Sequence, residues 1–430
     1  MPGFALQLRA AIITAVMALS VSAAAQAPAA APIVLHAARL LEVDTGKLLS
    51  PGEILVAGER IKAVGTAVEH PQGAKIVDLG DVTLMPGLID AHVHLFLHPG
   101  AEDQQTIDES VPWRTILAAQ AAKADLEAGF TAERDMGTEG AGSADTALRN
   151  AINRGIIPGP RLRVSGNAID ILGGHEDATK FNPAQHVLPN ADQANTADEL
   201  VAVIRAQRKE GSDFAKIYET SHDEMIDGRL RTPYQYTEAQ LAAAVEEARR
   251  LHTVVAVHAQ GEPGTLFAAL AGVASIEHAS ELSEETMRLM KEKNIFAVPT
   301  FAIFDYFAEH PESQGQAARE VVLLDHKIAE FKKQIAAGVP FAVGSDVGPF
   351  PHGTQAHEMT LMVRYGMTPL AVLQADMLNG AKLLGWEHEI GQLKPGFYAD
   401  IVAVPGNPLD DISMVERVSF VMKNGMIVRQ

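Results

Sequence analysis

Two histidines, His92 and His94, stand one residue apart directly after an apolar run that ends at Asp90. On a β-strand, residues two apart point to the same face, with their Cβ atoms about 6.5 Å apart. Both imidazoles can therefore bind one metal ion. Because the chain contains 16 histidines, one close pair is weak evidence by itself. The metal-site interpretation depends on other ligand-forming side chains in equivalent positions.

Four further polar side chains lie within or at the end of apolar, strand-like runs: Lys216, His258, His278 and Asp346. Each has an ordinary explanation, since histidines are often hydrogen-bonded core residues, aspartates often cap helices and lysines often reach solvent. Burying an unpaired polar group is costly, however. Six such groups on five strands therefore indicate one shared role rather than six separate structural ones.

Eight strand-like segments alternate with helix-like segments through the middle of the chain. We predict strands at Leu88–Leu95, Ala132–Met136, Leu162–Ala168, Phe214–Tyr218, Val254–His258, Ser275–His278, Phe296–Pro299 and Phe341–Ser345. We predict helices at Trp113–Ala128, Ala197–Glu210, Thr237–Leu251, Glu284–Lys293, Arg319–Ala337 and Pro369–Leu384. This alternation is typical of a (β/α)8 TIM barrel, an α/β fold whose catalytic groups lie at the C-terminal strand ends. A doubly wound open sheet is the alternative, but no glycine-rich phosphate-binding fingerprint follows the first strand.

Short strand-like segments separated by Gly, Pro and Asp occupy both ends of the chain, at residues 33–84 and 391–430. Such spacing is typical of a small β-sandwich. We therefore predict a composite β-sandwich domain built from residues 28–84 and 386–430, with the barrel formed by residues 85–385.

The composition limits the classes of partner and ligand. The chain has 430 residues, 47% of them hydrophobic, so it can bury a large core. A formal charge of −19 and the lack of a basic run argue against nucleic acids or anionic membranes as partners. Because there is no cysteine, a metal ion would have to be held by histidine, carboxylate or modified lysine.

Residues 1–27 are typical of a secretory signal peptide: a short basic region precedes the apolar segment Ala11–Val21, and small residues follow. We expect cleavage after Ala25 or Ala27. A membrane anchor is the alternative, but the apolar segment is shorter than the roughly 20 residues that a span needs. We therefore expect an exported protein, periplasmic or secreted, with no membrane contact after cleavage.

The polar strand ends belong to a wider set of motifs. The set comprises Met85-Pro86-Gly87-Leu88-Ile89-Asp90-Ala91-His92-Val93-His94, the mid-chain Lys216, the later His258 and His278, Gly344-Ser345-Asp346, and the closing segment from Ile390 to Val402. Together these motifs resemble the metal-dependent amidohydrolase superfamily over nearly all of the chain after the leader. The similarity is greatest to the branch of Xaa-Pro dipeptidases and N-acyl amino acid hydrolases, especially the bacterial amidohydrolases that cleave ochratoxin A.

The resemblance implies a binuclear site with two divalent metal ions, usually Zn²⁺. The protein ligands that it implies are His92, His94 and Asp346 for one ion, and His258 and His278 for the other. Lys216, carboxylated by CO₂, would bridge the ions as a carbamate, because a free ammonium would repel them. A bridging water would become the nucleophile, and Asp346 would pass its proton to the leaving amine.

Substrate contacts are implied for His175 and Tyr218. His175 lies in a Gly-rich loop after the third strand, where the family has a histidine that contacts substrate; taken alone, a loop histidine more often faces solvent. Tyr218 shares the inward face of Lys216, so it can contact substrate or fill a layer of the barrel. Arg134 and Asp135, after the second strand, are expected to form a structural ion pair.

The favoured hypothesis is a binuclear amidohydrolase that cleaves the amide of N-acyl or N-aminoacyl amino acids, a dipeptidase or carboxypeptidase-like enzyme. Ochratoxin A, cleaved to ochratoxin alpha and phenylalanine, fits this class of small amide substrates. One alternative is a one-metal deaminase or cyclic-amide hydrolase of the imidazolonepropionase type, which would need no bridging carbamate on Lys216. Another is a non-catalytic exported binding protein, against which the complete ligand set argues. The resemblance also implies a homo-oligomer.

Overall fold

The computed structural model of the protein describes residues 31–177, 182, 184, 187–310 and 317–430. The signal-peptide interpretation of residues 1–27 lies outside the described residues, so it stays a prediction, as do export and the homo-oligomer. None of the described helices is long and apolar enough to cross a membrane.

From residue 31 onward, where the description of the chain begins, seven short strands precede the barrel: β1 (Ile33–Ala37), β2 (Arg39–Glu42), β3 (Lys47–Leu49), β4 (Gly52–Ala57), β5 (Arg60–Gly65), β6 (Lys75–Asp78) and β7 (Val82–Pro86). They are short because glycine, proline and aspartate turns interrupt runs of Val, Ile and Leu. The first sheet has the order β5-β4-β1-β6. Its buried residues, which include Leu35, Ile54 and Val77, pack in one core with Ile401 and Phe420 from the other end of the chain.

Among the described residues, eleven strands follow in the centre of the chain: β8 (Leu88–Val93), β9 (Phe130–Asp135), β10 (Arg161–Val164), β11 (Ile169–Asp170), β12 (Asp192–Gln193), β13 (Ala215–Tyr218), β14 (Glu224–Ile226), β15 (Arg229–Arg231), β16 (Val255–Ala259), β17 (Ser275–His278) and β18 (Phe296–Val298). The barrel strands are β8, β9, β10, β13, β16, β17 and β18, and their ladders are parallel. The amide of Asp213 joins the third strand to the fourth by donating to the carbonyl of Val164 at 2.7 Å.

The eighth barrel segment closes the ring but is irregular. The predicted strand Phe341–Ser345 is reduced to isolated bridges around an extended segment. On one side the amide of Ala342 donates to the carbonyl of Ala297 at 3.0 Å, and on the other the amide of Ala91 donates to the carbonyl of Val343 at 2.9 Å. The chain therefore forms an eight-membered (β/α)8 barrel, as predicted, with one irregular member.

The irregularity arises where the eighth segment passes the first strand. The carboxylate of Asp90 accepts the amide of Ser345 at 3.1 Å and also its hydroxyl, so a side chain replaces part of the strand ladder. The next residue, Asp346, has a left-handed φ of 65°, which ends the extended conformation. Its amide donates to the carbonyl of His92 at 2.8 Å.

In the described part of the chain, twelve α-helices cover the barrel and its loops: α1 (Glu102–Asp108), α2 (Val111–Ala128), α3 (Ala144–Asn153), α4 (Ala197–Glu210), α5 (Glu238–Arg250), α6 (Gly264–Ala271), α7 (Glu284–Lys293), α8 (Phe301–Glu309), α9 (Ala317–Ala337), α10 (His357–Arg364), α11 (Pro369–Gln374) and α12 (Gly380–Leu383). A 3-10 helix follows at Ile412–Arg417. Capping boxes fix the first turns of α4 and α5. The predicted bounds of α4 and α7 agree with the structure. The single helix predicted at Pro369–Leu384 is instead interrupted by a π-helical turn, Ala375–Asn379.

Three strands end the chain: β19 (Ile401–Pro405), β20 (Phe420–Lys423) and β21 (Met426–Arg429). They extend the second sheet, whose order is β21-β20-β19-β7-β2-β3, so both chain ends contribute to one sheet. β19 pairs antiparallel with β7, with Ile401 opposite Pro86. The described part of the chain packs as one compact unit, and the boundaries 28–84, 85–385 and 386–430 stay predictions.

The turn between β20 and β21 gives a test of this packing. A Cβ added to Gly425, which has a φ of +71°, would lie 2.0 Å from the carbonyl oxygen of Gly58 in the N-terminal segment. Gly80 has the same φ of +71° but no described atom within 4 Å of such a Cβ. Alanine at either site costs about 1–2 kcal/mol through its backbone. Because of overpacking, we expect Gly425→Ala to lower the free energy of unfolding by about 1–3 kcal/mol more than Gly80→Ala does. The Gly425→Ala variant should therefore have the lower melting temperature of the two. Equal melting temperatures would contradict the close contact.

Candidate metal centre

The six predicted ligands meet at one end of the barrel. They lie at or near the C-terminal ends of strands: His92 and His94 on β8 and just beyond it, Lys216 in β13, His258 in β16, His278 at the end of β17 and Asp346 after the eighth segment. Side chains alternate along a strand, so the intervening Val93, Ile217 and Val257 pack in the main hydrophobic core. All six groups are buried apart from Asp346, whose side chain is 15% exposed.

Asp346 is the group that joins the ligands from different strands. Its Oδ1 lies 3.3 Å from Nε2 of His92 and 3.3 Å from Nε2 of His94, and its Oδ2 lies 3.9 Å from Nδ1 of His278. Ligand atoms of His92, His278 and Asp346 all fall within 4.8 Å of one another. Burial alone would raise the pKa of Asp346, but His92 and His94 lower it well below the ordinary value, so it is a carboxylate.

Lys216 and His258 adjoin the cluster, and one side-chain nitrogen of each has no hydrogen-bond partner in the described part of the chain. Neither Nζ of Lys216 nor Nε2 of His258 has a hydrogen-bond partner among the described residues, although both atoms are buried. Burial lowers the pKa of Lys216, and burial with the neighbouring His175 and His278 lowers that of His258 well below its ordinary value. His258 is therefore neutral, as a metal ligand must be. The ring centroids of His258 and His278 are 4.4 Å apart.

A buried ionic chain orients His92 from behind. Nδ1 of His92 lies 2.9 Å from Oε2 of Glu277, and Oε1 of Glu277 accepts a hydrogen bond from Arg134 at 2.8 Å. Such carboxylate–histidine pairs fix the ring and its tautomer, which leaves the other nitrogen for a metal ion. Arg134 also donates to the carbonyl of Ala91 at 2.7 Å.

The expected ion pair between Arg134 and Asp135 was wrong. Adjacent strand residues point to opposite faces, so Arg134 pairs with Glu277, whereas the Asp135 carboxylate accepts the amide of Leu95 at 3.3 Å. The role of Glu277 was not predicted, although an acidic residue inside the apolar strand that ends at His278 is a signal for it.

Glu139 lies against His94, whose Nδ1 also lies 3.4 Å from the carbonyl oxygen of Gly137, and the acidic residue was not predicted. Its Oε1 lies 3.1 Å from Nδ1 of His94, and its side chain is 2% exposed. Burial alone would lower the pKa of His94, but Asp346 and Glu139 raise it well above the ordinary value. A cation that binds here would therefore displace a proton from His94. Glu139 lies in a loop beyond β9, where no local pattern marks it.

Several residues around the cluster have left-handed backbone conformations that are unfavourable for non-glycine residues. They are Glu139, His278, Ala279, Thr300 and Asp346, with φ between 43° and 69°. Helix α9 supports two of them, since Nζ of Lys327 donates to the carbonyl of His278 at 2.9 Å and the Gln334 amide donates to that of Ala279 at 2.8 Å. Such strain persists only where surrounding contacts fix the backbone, and it clusters at functional sites.

The two predicted substrate-binding residues adjoin the cluster. The His175 ring stacks on Tyr218, with centroids 5.0 Å apart and planes 13° apart, and lies 4.4 Å from His258. Its side chain is 20% exposed, so it does not point freely into solvent. Tyr218 is 5% exposed and faces the same interior as Lys216, whose Nζ lies 4.9 Å from its ring centroid.

Comparison with known proteins agrees with this geometry. The model of the Amidohydrolase family matches residues 83–428. The chain belongs to the amidohydrolase family. A similar relative is the ochratoxinase of Aspergillus niger, which is 30% identical over an alignment that covers 92% of this chain and 86% of the relative.

Solved structures of similar proteins cover nearly the whole chain. A Xaa-Pro dipeptidase with bound methionine in its active site is 31% identical, has a TM-score of 0.85, and is matched over 93% of this amidohydrolase and 100% of that chain. The A. niger ochratoxinase structure is 27% identical with a TM-score of 0.79, over 92% of this chain and 95% of that one. This amidohydrolase is thus a hydrolytic enzyme acting on amides, in a metal-dependent superfamily.

The described residues fit a metal centre. Imidazole nitrogens and a carboxylate are suitable ligands for divalent ions such as Zn²⁺. The buried nitrogens of Lys216 and His258, which have no hydrogen-bond partner in the described chain, would otherwise carry an uncompensated desolvation cost. The ionic chain behind His92 completes the arrangement usual around bound metals.

This ionic chain can be tested by its effect on stability. Arg134→Met leaves the buried carboxylate of Glu277 without its cation, so we expect the free energy of unfolding to fall by about 3–5 kcal/mol. The double variant Arg134→Met/Glu277→Gln should lose less, because the neutral amide is cheaper to bury. Thermal unfolding of the metal-stripped protein measures both. As a control, Arg249→Met breaks an exposed ion pair with Glu246 and should cause only a small shift. A single variant as stable as this control would disprove the role of the pair.

Proposed function

We propose that this amidohydrolase binds two divalent metal ions and cleaves the amide of N-acyl or N-aminoacyl amino acids. Zn²⁺ is the first ion to test. The similar proteins support this substrate class, since one is a Xaa-Pro dipeptidase and another an ochratoxinase. Dipeptides and ochratoxin A are therefore the substrates to test first. The proposed ligands are His92, His94 and Asp346 for one ion and His258 and His278 for the other.

The observation that carries the proposal is the buried Lys216 with no hydrogen-bond partner for its Nζ among the described residues. Burial lowers the pKa of its amine, which favours the neutral form. A neutral amine adds to CO₂ to give a carbamate and releases one proton. The carbamate is anionic and has two oxygens, so it can bridge two cations that an ammonium would repel. A one-metal site of the imidazolonepropionase type would not require this group.

The remaining residues have separate roles in amide hydrolysis. Metal ions, when bound, would polarise the carbonyl of the substrate and lower the pKa of a water molecule. The carboxylate of Asp346, whose Oδ1 lies 3.3 Å from Nε2 of both His92 and His94, accepts a proton from the attacking water and delivers it to the leaving nitrogen. Glu277 holds the His92 ring through Nδ1, and Nδ1 of His94 lies between the carbonyl oxygen of Gly137 and the carboxylate of Glu139.

Tyr218 and His175 are suited to binding the substrate. Burial and the carboxylates Glu176, Glu139 and Asp346 raise the pKa of Tyr218 well above its ordinary value, so the phenol stays a hydrogen-bond donor. Burial, with the nearby His222, lowers the pKa of His175 to about 3, so its ring is neutral. A neutral donor pair can hold a carbonyl or carboxylate oxygen without repelling the metal ions.

We expect Lys216→Ala and Asp346→Asn each to reduce kcat/KM by about 1,000-fold or more, the equivalent of about 4 kcal/mol of transition-state stabilisation. The assay is hydrolysis of N-acyl amino acids, X-Pro dipeptides and ochratoxin A, with metal analysis of each variant. Lys209→Ala, which removes an exposed lysine at the end of α4, is the matched control and should leave both measurements unchanged.

The outcomes separate the parts of the proposal. Two metal ions per chain in the parent enzyme, with loss of metal in Lys216→Ala, would support the bridged site. One ion per chain would contradict it and favour the imidazolonepropionase-type alternative. Two ions without hydrolysis of any substrate in the panel would contradict the substrate class but not the metal site.

A further inference from the structure

The Gln235 side chain links residues 171–177, the described part of the loop that carries His175, to the fourth barrel strand. Its Oε1 accepts the backbone amide of His175 at 2.8 Å. Its Nε2 donates to the carbonyl of Tyr218 at 2.6 Å and to Oδ1 of Asp170. The amide group therefore contacts the two residues whose side chains are proposed to bind substrate.

Gln235 is itself fixed relative to strand β13. Its backbone amide donates to the carbonyl of Glu219 at 2.7 Å, one residue beyond the end of the strand. The neighbouring residues Thr220 and Tyr234 form an antiparallel bridge. The backbone of Gln235 is thus held in place relative to β13, so its side chain has a fixed point of attachment on the barrel.

Asp170 holds the other side of the His175 loop. Its Oδ2 accepts the amide of Glu176 at 2.6 Å, and its Oδ1 accepts that of Ile171 at 2.7 Å. No space is left between the backbone of Gly174 and these two side chains, because a Cβ on Gly174 would lie 2.3 Å from Oδ1 of Asp170 and 2.5 Å from Oε1 of Gln235. The backbone on both sides of His175 is therefore held against these two side chains.

The loop needs such contacts to keep one conformation. Gly173 and Gly174 precede His175, and glycine loses more backbone freedom on ordering than any other residue. The His175 ring is stacked on Tyr218 and lies 4.4 Å from His258, so a small movement of the loop would separate the rings.

We propose that Gln235 is a positioning residue that fixes His175 against Tyr218, so that the two side chains form one substrate-binding surface. Gln235 touches neither the predicted ligands nor, in this proposal, the substrate; it acts through the backbone of His175 and Tyr218. The assignment of this surface to substrate rests on the proposed function, whereas the positioning of His175 does not.

The positioning itself is tested without any activity assay. Gln235→Met keeps the length of the side chain but removes all three hydrogen bonds. We expect the metal-loaded variant to react with diethyl pyrocarbonate at His175 about tenfold faster than the parent, measured by peptide-resolved mass spectrometry, because the freed ring becomes more accessible. Exposed His388 is the internal reference and should react equally in both. An unchanged rate at His175 would overturn the proposal.

The effect on the substrate surface is tested by kinetics. Gln235→Met should lower kcat/KM about tenfold, mainly through KM, with an unchanged metal content. In a His175→Ala background the same substitution should have little further effect, since the group that it positions is gone. Gln104→Met, on an exposed face of α1, is the matched control and should change nothing.

Each result has one meaning. Independent, multiplying effects of Gln235→Met and His175→Ala would overturn the positioning role even if activity falls. Loss of metal in Gln235→Met would also overturn it, because the residue would then be supporting the metal centre. If the parent enzyme hydrolyses nothing in the panel, the proposed function fails, and the reaction rate at His175 still decides whether Gln235 positions the loop.

Discussion

The junction between the eighth barrel segment and the first strand is the constraint on which the site depends. Asp90 accepts the amide and hydroxyl of Ser345, and the amide of Asp346 donates to the carbonyl of His92. These bonds place a carboxylate from the end of the barrel sequence within 3.3 Å of two histidines from its start. Closure of the barrel and assembly of the ligand cluster are therefore the same structural event.

Behind the ligands, the chain provides negative charge at fixed positions. Glu277 and Glu139 each meet the Nδ1 of one histidine, and Asp346 lies between the two Nε2 atoms. Arg134 is the buried cation whose charge offsets the desolvation penalty of the Glu277 carboxylate in an apolar interior. The cluster is thus organised for cations before any ion binds, which reduces the reorganisation that binding requires.

The sequence predicted the positions of those site residues that lie on barrel strands or directly after them. The sequence placed the six candidate side chains at one end of the barrel, because each follows or lies within an apolar strand and parallel strands end at one rim; that they bind metal stays a prediction. The irregular eighth segment, the pairing of Arg134 with Glu277, and the roles of Glu139 and Gln235 were not predicted. Each depends on contacts between residues far apart in the chain or on a loop conformation, and local periodicity carries no information about either.

The sheet shared by the two chain ends has a consequence for how this protein folds. Strand β7 precedes the barrel, yet its neighbour β19 follows more than 300 residues later. During synthesis the N-terminal half of that sheet has an open edge until nearly the whole chain has been made, and open edges invite mispairing. Contacts of such sequence separation also slow folding. Completion of this sheet is therefore expected to be a late step, and a chain truncated near its C-terminus would retain an aggregation-prone edge.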